Sequence, residues 1–144
     1  MKTSLFSLLL LLLVSFSCSE KKSAPVPAIN EETTSQVLKH HWDAFQANDL
    51  EATMEDYTEE SVLITPDRTF KGLSEIRENF VFAFSVFPKD SSTLQLNKTV
   101  VSGDVGYILW TADAPNLNLQ YATDTFIVQD GKIVRQTYAG MVAP

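Results

Sequence analysis

Apolar residues recur at intervals of three and four between Val37 and Phe45, and this spacing predicts a helix with Val37, Leu38, His41, Trp42 and Phe45 on one face. Asn30 is placed to cap it, with Glu31 and Glu32 against the positive end of its dipole. Asn48-Asp49 breaks the pattern, and Asp49 can cap a shorter helix carrying Leu50, Met54 and Tyr57. Thr58 to Ser61 reads as a polar turn, Val62 to Thr65 as a short strand stopped by Pro66-Asp67, and Thr69 to Lys71 as a second short strand before Gly72. From about Ser74 the spacing is helical again through Ile76, Phe80, Ala83, Phe84 and Phe87, until Pro88 ends it. Beyond Pro88 the period changes to that of strands: Leu94 to Val101, Val105 to Ala112, Leu119 to Val128 and Lys132 to Met141. Asp130-Gly131 is a two-residue hairpin signal, because that turn needs positive φ at both positions. Helices first and an antiparallel meander afterwards predict a single α+β domain with a curved sheet around its N-terminal helices.

The N-terminus follows a different logic. Lys2 precedes an apolar run from Leu5 to Val14, too short for a membrane-spanning helix, which needs ~20 residues, and proportioned like a signal-peptide core. Ser17-Cys18 follows, and Cys18 is the only cysteine in the chain. A lone cysteine just after such a core resembles a bacterial lipoprotein cleavage site, which implies residues 1–17 as signal peptide, lipid on Cys18 and residues 18–30 as a tether. Ordinary secretion is the alternative. Lys21, Lys22, Pro25 and Pro27 give the tether a polar, proline-punctuated character with no face to bury, and residues 31–144 remain for the domain. The lipoprotein resemblance implies a protein of the cell envelope, exported and membrane-anchored through lipid alone.

Composition narrows the partners. Hydrophobic residues make up 44% and charged residues 20% of the 144, which excludes a wholly disordered or collagen-like chain. Eighteen acidic against eleven basic residues give a net charge of −7, and loss of Lys2 with the signal peptide makes it −8. Such a surface repels phosphate backbones, so nucleic-acid binding is disfavoured. Two histidines and one cysteine are poor material for a metal site, and neither a metal nor an organic cofactor is expected.

The runs Trp42 to Leu50, Asp56 to Val62, Thr65-Pro66-Asp67, Phe70-Lys71-Gly72 with Ile76-Arg77, and Asp124 to Val134 occur in an order and spacing that resemble the nuclear transport factor 2-like superfamily, with its SnoaL-like and ketosteroid isomerase-like domains. The resemblance spans about Glu32 to Met141. It implies a cone-shaped domain, a strongly bent sheet wrapped around helices with a pocket at its mouth. It leaves function open, since this fold hosts isomerases, cyclases, hydrolases, binding modules and dimerisation domains. In ketosteroid isomerases an aspartate base works with a tyrosine and a protonated aspartic acid that donate to an enolate. By resemblance the base position falls on Thr65, the tyrosine on His41 and the protonated acid on Asp124. Threonine cannot take a proton near neutral pH, so that mechanism is lost here.

His41 and Asp124 are thus the candidate acid–base pair, expected, if both face the pocket, to lie close enough to interact directly or through one water. His41 on the apolar helix face is either an acid or base in a pocket or a buried neutral ring with a satisfied hydrogen bond. Asp124 in mid-strand is either a neutral acid facing a ligand or a group that satisfies His41 or the backbone. His40, ~100° around the helix, reads as surface. Phe45, Tyr57, Phe80, Phe84, Trp110, Phe126 and Tyr138 are the candidate pocket lining, with Asp113 a further pocket or rim acid. Phe82 and Val86 fall off the inward stripe and, with the outer face of the sheet, could serve a homodimer; Asp56, Glu59 and Glu60 read as a solvated acidic turn. The functional expectation is a domain binding a small hydrophobic or carbonyl-bearing molecule. Its alternatives are an isomerase, cyclase or hydrolase using His41 and Asp124, or an interaction module with a vestigial pocket.

Overall fold

In the computed structural model, which describes residues 29–144, the Asn30 side chain accepts hydrogen bonds from the backbone N–H groups of Glu32 (3.0 Å) and Thr33 (3.4 Å) and starts α1, Glu31–Gln46. The signal-like run, Cys18 and most of the tether lie outside the described residues. Asn48 at φ +51° turns the chain, and Asp49 caps α2, Leu50–Glu55, by accepting from Ala52 N–H at 3.0 Å. Two short strands follow, β1 (Val62–Ile64) and β2 (Thr69–Lys71), then α3 (Gly72–Val86) and four long strands: β3 (Thr93–Ser102), β4 (Val105–Ala114), β5 (Leu117–Gln129) and β6 (Lys132–Val142). Asp130 and Gly131, at φ +51° and +73°, make the tight turn between the last two.

All six strands form one open, curved sheet in the order β2-β1-β6-β5-β4-β3. Neighbours are antiparallel except β1 and β6, which run parallel with Leu63 opposite Gln136. The antiparallel pattern expected throughout therefore breaks at one pair, because the long connection through α3 and three strands brings β6 back beside β1 in the same direction. Irregularities in register at Leu96/Lys98, Trp110/Ala112, Leu119/Tyr121 and Ile127/Val128 interrupt the ladder. Such bulges bend strands and increase twist, and here they accompany the curvature. The one in β5 also changes the side-chain parity, so that Leu119, then Ala122, Asp124, Phe126 and Val128, all face inward.

The helices fill the concave side. Thr34, Val37, Leu38, His41, Trp42, Ala44 and Phe45 form the buried face of α1. α1 comes so close to β4 that a Cβ on Gly106 would stand 2.5 Å from the Leu38 methyls. Ile76 and Phe80 of α3, Leu63 of β1, Ile108 and Trp110 of β4 and Ile133 of β6 complete the core. Trp110 is its centre, with ring centroids 5.7–5.8 Å from Trp42, Phe45 and Phe87. Among the described residues no helix is long and apolar enough to cross a membrane.

Candidate functional site

Between α1, α3 and the inner face of the sheet lies a cavity of about 640 Å³, within the range of small-molecule sites. Phe45, Phe80, Trp110, Phe126 and Ile108 supply apolar wall. Thr65, Asp67, Arg68 and Asn79 contribute polar groups that are exposed or half-buried, while His41, Asp124, Gln136 and Tyr138 bring polar groups to the protein side of the cavity.

The buried polar groups form a chain. Asp56, the C-cap of α2, is 5% exposed and holds two imidazoles: its Oδ2 lies 3.0 Å from His41 Nδ1, and its Oδ1 lies 2.8 Å from His40 Nδ1. Its own backbone oxygen accepts from Ile133 N–H at 2.7 Å, which pins α2 to β6. His41 Nε2 is 3.3 Å from the Tyr57 hydroxyl, which donates to Gln136 Oε1. Gln136 Nε2 donates to Asp124 Oδ1 at 2.8 Å, and Trp110 Nε1 donates to Asp124 Oδ2 at 2.8 Å. The His41 ring is also packed edge-on against Tyr57, Phe80 and Phe126, with centroids 5.5–5.6 Å away. Both of its nitrogens are engaged within the protein.

Burial governs the electrostatics. It pushes the Asp124 carboxyl up, while the hydrogen bonds from Gln136 and Trp110 and the nearness of His41 pull the other way. Tyr57 is pushed far up by burial, then by the charges of Asp124 and Asp56. Tyr138 rises for the first two of these reasons. Asp124 and Tyr138 are direct cross-strand partners on β5 and β6. The Tyr138 hydroxyl makes no hydrogen bond among the described residues, and it lies over Gly140, where a Cβ would come within 2.6 Å of it.

Of the residues singled out from sequence, His41, Asp124, Phe45, Phe80, Trp110, Phe126 and Tyr138 border the cavity. His41 and Asp124 are joined through Tyr57 and Gln136 rather than by a hydrogen bond of their own. Tyr57 stands behind the wall, buried, and Phe84 packs on Phe45 and Phe80 without bordering the cavity. Asp113 is an exposed residue of β4 beside a separate, shallower depression, because β4 continues past the expected end and its alternation turns Asp113 outward. Phe82 and Val86 do border the cavity, Phe82 at the exposed edge, since α3 presents a wider stripe than its apolar spacing implied. Asp56 is buried between two histidines, not solvated, and His40 is half-exposed with one nitrogen on Asp56. Thr65 borders the cavity, but its hydroxyl is occupied in a turn with the Arg68 backbone. Gln136 was the residue missed. Its only sequence signal was shared parity with Tyr138 in the last strand, which puts both on the inner face.

The sequence profile of the SnoaL-like domain matches residues 38–136. The chain belongs to the SnoaL-like family. Solved structures agree on the fold of this SnoaL-like domain. A candidate ketosteroid isomerase from Kribbella flavida DSM 17836 aligns with a TM-score of 0.68 at 15% identity, covering 81% of this chain and 83% of that one. A candidate polyketide cyclase from Sinorhizobium meliloti gives 0.62 at 20% identity over 72% and 94%. A de novo designed protein with a curved β-sheet gives 0.67 at 15% identity over 81% and 89%. At these identities the likeness concerns the fold, the nuclear transport factor 2-like architecture. No curated protein sequence matches the chain.

Proposed function

We propose that this SnoaL-like domain binds a small, largely apolar molecule bearing a carbonyl oxygen, with that oxygen beside Asp124 and Tyr138. The observation that carries the reading is the cavity of about 640 Å³, aromatic on its walls and supplied with a hydroxyl free of other partners among the described residues. A carbonyl oxygen is an acceptor, and the Tyr138 O–H is a donor standing beside a buried Asp124 carboxyl whose burial favours the uncharged form. The experiment is native mass spectrometry of the purified domain to find a co-purifying molecule, then calorimetric titration of that molecule into wild type and Tyr138→Phe. Loss of one neutral hydrogen bond predicts affinity about 2- to 10-fold weaker in the variant. Unchanged affinity for a bound carbonyl compound refutes the placement.

Catalysis in the same cavity is the second reading, favoured by one observation: the Tyr138 hydroxyl beside the Asp124 carboxyl on adjacent strands, both shifted up by burial, suits a carbonyl oxygen that gains negative charge. His41 fits poorly as the base that meets substrate, because both of its nitrogens are engaged. Hydrogen–deuterium exchange at carbons next to the ligand carbonyl, absent in Asp124→Asn, supports this reading; no exchange with wild type removes it.

We also propose that the domain is exported and tethered to a membrane by lipid on Cys18, on the strength of the apolar run and lone cysteine. Cys18→Ala moves the protein out of the membrane fraction if this is right. A second copy is the proposed partner for the outer sheet face, where Val100 stands opposite Tyr107 and Tyr121 opposite Met141. Sedimentation with a monomer mass at micromolar concentration overturns that pairing.

A further inference from the structure

The buried chain from Asp56 to Asp124 obeys a strict accounting of donors and acceptors. With Gln136 Oε1 turned toward Tyr57, the phenol donates to it, so the Tyr57 oxygen can only accept from His41 Nε2. His41 Nδ1 faces a carboxylate oxygen of Asp56 and must donate as well. The ring then carries both hydrogens, and the Gln136 amide hydrogen meets an ionised Asp124. A half-turn of the Gln136 carboxamide, whose two ends are alike in size, reverses every polarity between. Its Nε2 donates to the Tyr57 oxygen, the Tyr57 hydrogen turns to a bare His41 Nε2, and Gln136 Oε1 requires a hydrogen on Asp124. Both arrangements leave no group unpaired and hold the same number of hydrogens. Trp110 donates to Asp124 Oδ2 and His41 Nδ1 donates to Asp56 in each.

We infer that His41 and Asp124 share one proton, and that the orientation of the Gln136 carboxamide, transmitted by the Tyr57 hydroxyl, sets which of them holds it. The proton that leaves His41 Nε2 is the one Asp124 Oδ1 gains, exchanged through solvent when the Nε2–Tyr57 contact opens, and no bond other than N–H and O–H is made or broken. Tyr57 and Gln136 are positioning residues in this device, and Asp56 fixes the ring by its Nδ1. The ionisable groups facing it are His40 on α1, Asp56 at the end of α2, Tyr57 beyond it and Tyr138 on β6, with Trp110 on β4 the remaining donor.

The arrangement also sorts ligands, a consequence that rests on the binding reading above, whereas the proton sharing does not. A ligand carbonyl held by Tyr138 is repelled by a carboxylate at Asp124, so it selects the carboxylic acid, whose hydrogen goes to Gln136, and with it the neutral ring. A ligand hydroxyl or ammonium selects the carboxylate and the charged ring.

Nuclear magnetic resonance of the ligand-free, isotope-labelled domain tests the sharing. Imidazole nitrogen shifts of His41 and the carboxyl carbon shift of Asp124 are followed from about pH 4 to pH 8. In wild type both signals should report the same pair of titration steps, since interacting groups have joint macroscopic values. Asp124→Asn should hold His41 as the neutral ring with hydrogen on Nδ1 throughout, because the new amide accepts from Trp110 and donates to the turned Gln136. Tyr57→Phe should split the two titrations into unrelated single steps. The inference is overturned if the wild-type signals already follow unrelated steps, or if Asp124→Asn leaves the tautomer and pH profile of His41 as in wild type. The wild-type titration decides the matter even if a variant fails to fold.

Discussion

Removing the hydroxyl that joins the two halves of the buried chain is the most informative change. Tyr57→Phe keeps the ring, whose centroid lies 5.5 Å from that of His41 and 5.7 Å from that of Phe80, so packing changes little. What is lost is polar: Gln136 Oε1 and His41 Nε2 both lose their partner at a fully buried site. A buried group left unpaired costs about 1–3 kcal/mol, so the variant should lose about 2–4 kcal/mol. Gln136→Leu strands Asp124 Oδ1 but lets Tyr57 turn to His41, and should cost about 1–3 kcal/mol. In the double variant two apolar groups face one another, and the unpaired Gln136 Oε1 that Tyr57→Phe alone leaves is gone. The double cost should therefore fall short of the sum by about 1–2 kcal/mol. Urea unfolding of all four proteins measures this, with each ~2 kcal/mol moving the midpoint by roughly 1 M. Additivity within ~0.5 kcal/mol would mean that Tyr57 and Gln136 act independently, and the chain would be a set of separate contacts.

Three shorter predictions follow from the same geometry. Because burial raises the folded-state pKa of Asp124 above its ordinary 3.8, the native state binds more protons in the window above that value; stability should fall as pH rises through the window, and Asp124→Asn should lack this slope in thermal melts. Gly140→Ala places a Cβ 2.6 Å from the Tyr138 hydroxyl and 3.1 Å from Leu119 Cδ1, so the phenol must swing into the cavity; binding of the carbonyl ligand should weaken by at least about tenfold while stability changes by under ~1.5 kcal/mol. Gly106→Ala overlaps the confined Leu38 methyls and should cost about 1–3 kcal/mol in urea unfolding, whereas the Gly106→Ala, Leu38→Ala pair should cost less than the sum of its parts.

Much of the fold was readable because its signals are local. Asn30, Asp49 and Asp130-Gly131 announce their caps and turn through side-chain chemistry and positive φ, and the change of period after Pro88 separates helix from sheet. The parallel β1–β6 pair was not readable, because nothing in a three-residue strand specifies a partner some seventy positions away. The site divides in the same way. His41 and Asp124 were legible as polar residues on apolar faces. Asp56 was misread because it follows Glu55 and precedes Glu59 and Glu60, so local composition suggests a wet turn, while its burial comes from the tertiary contact with Ile133. Asp113 was open between pocket and rim, and a strand that runs on to Ala114 sends its carboxylate outward, away from the cavity.

These misreadings bear on what the fold can say about function. A designed protein with a curved sheet aligns with this chain as well as a candidate ketosteroid isomerase does, with TM-scores of 0.67 and 0.68. The fold alone therefore does not set function, and specificity has to come from the few polar groups admitted to the cavity. Here those groups are not scattered. Asp56, His41, Tyr57, Gln136, Asp124 and Trp110 come from α1, α2, the turn after it and three neighbouring strands, yet each polar atom meets the next. A buried network spanning that many elements is costly unless every member is satisfied, so its completeness constrains the protonation of all of them together. Threonine at position 65 is consistent with this arrangement. No carboxylate stands at that position, Asp67 at the cavity edge is exposed, and the buried acid–base groups at the cavity are those of the network; under the proposed sharing, what they offer a ligand changes with the proton that His41 and Asp124 divide between them.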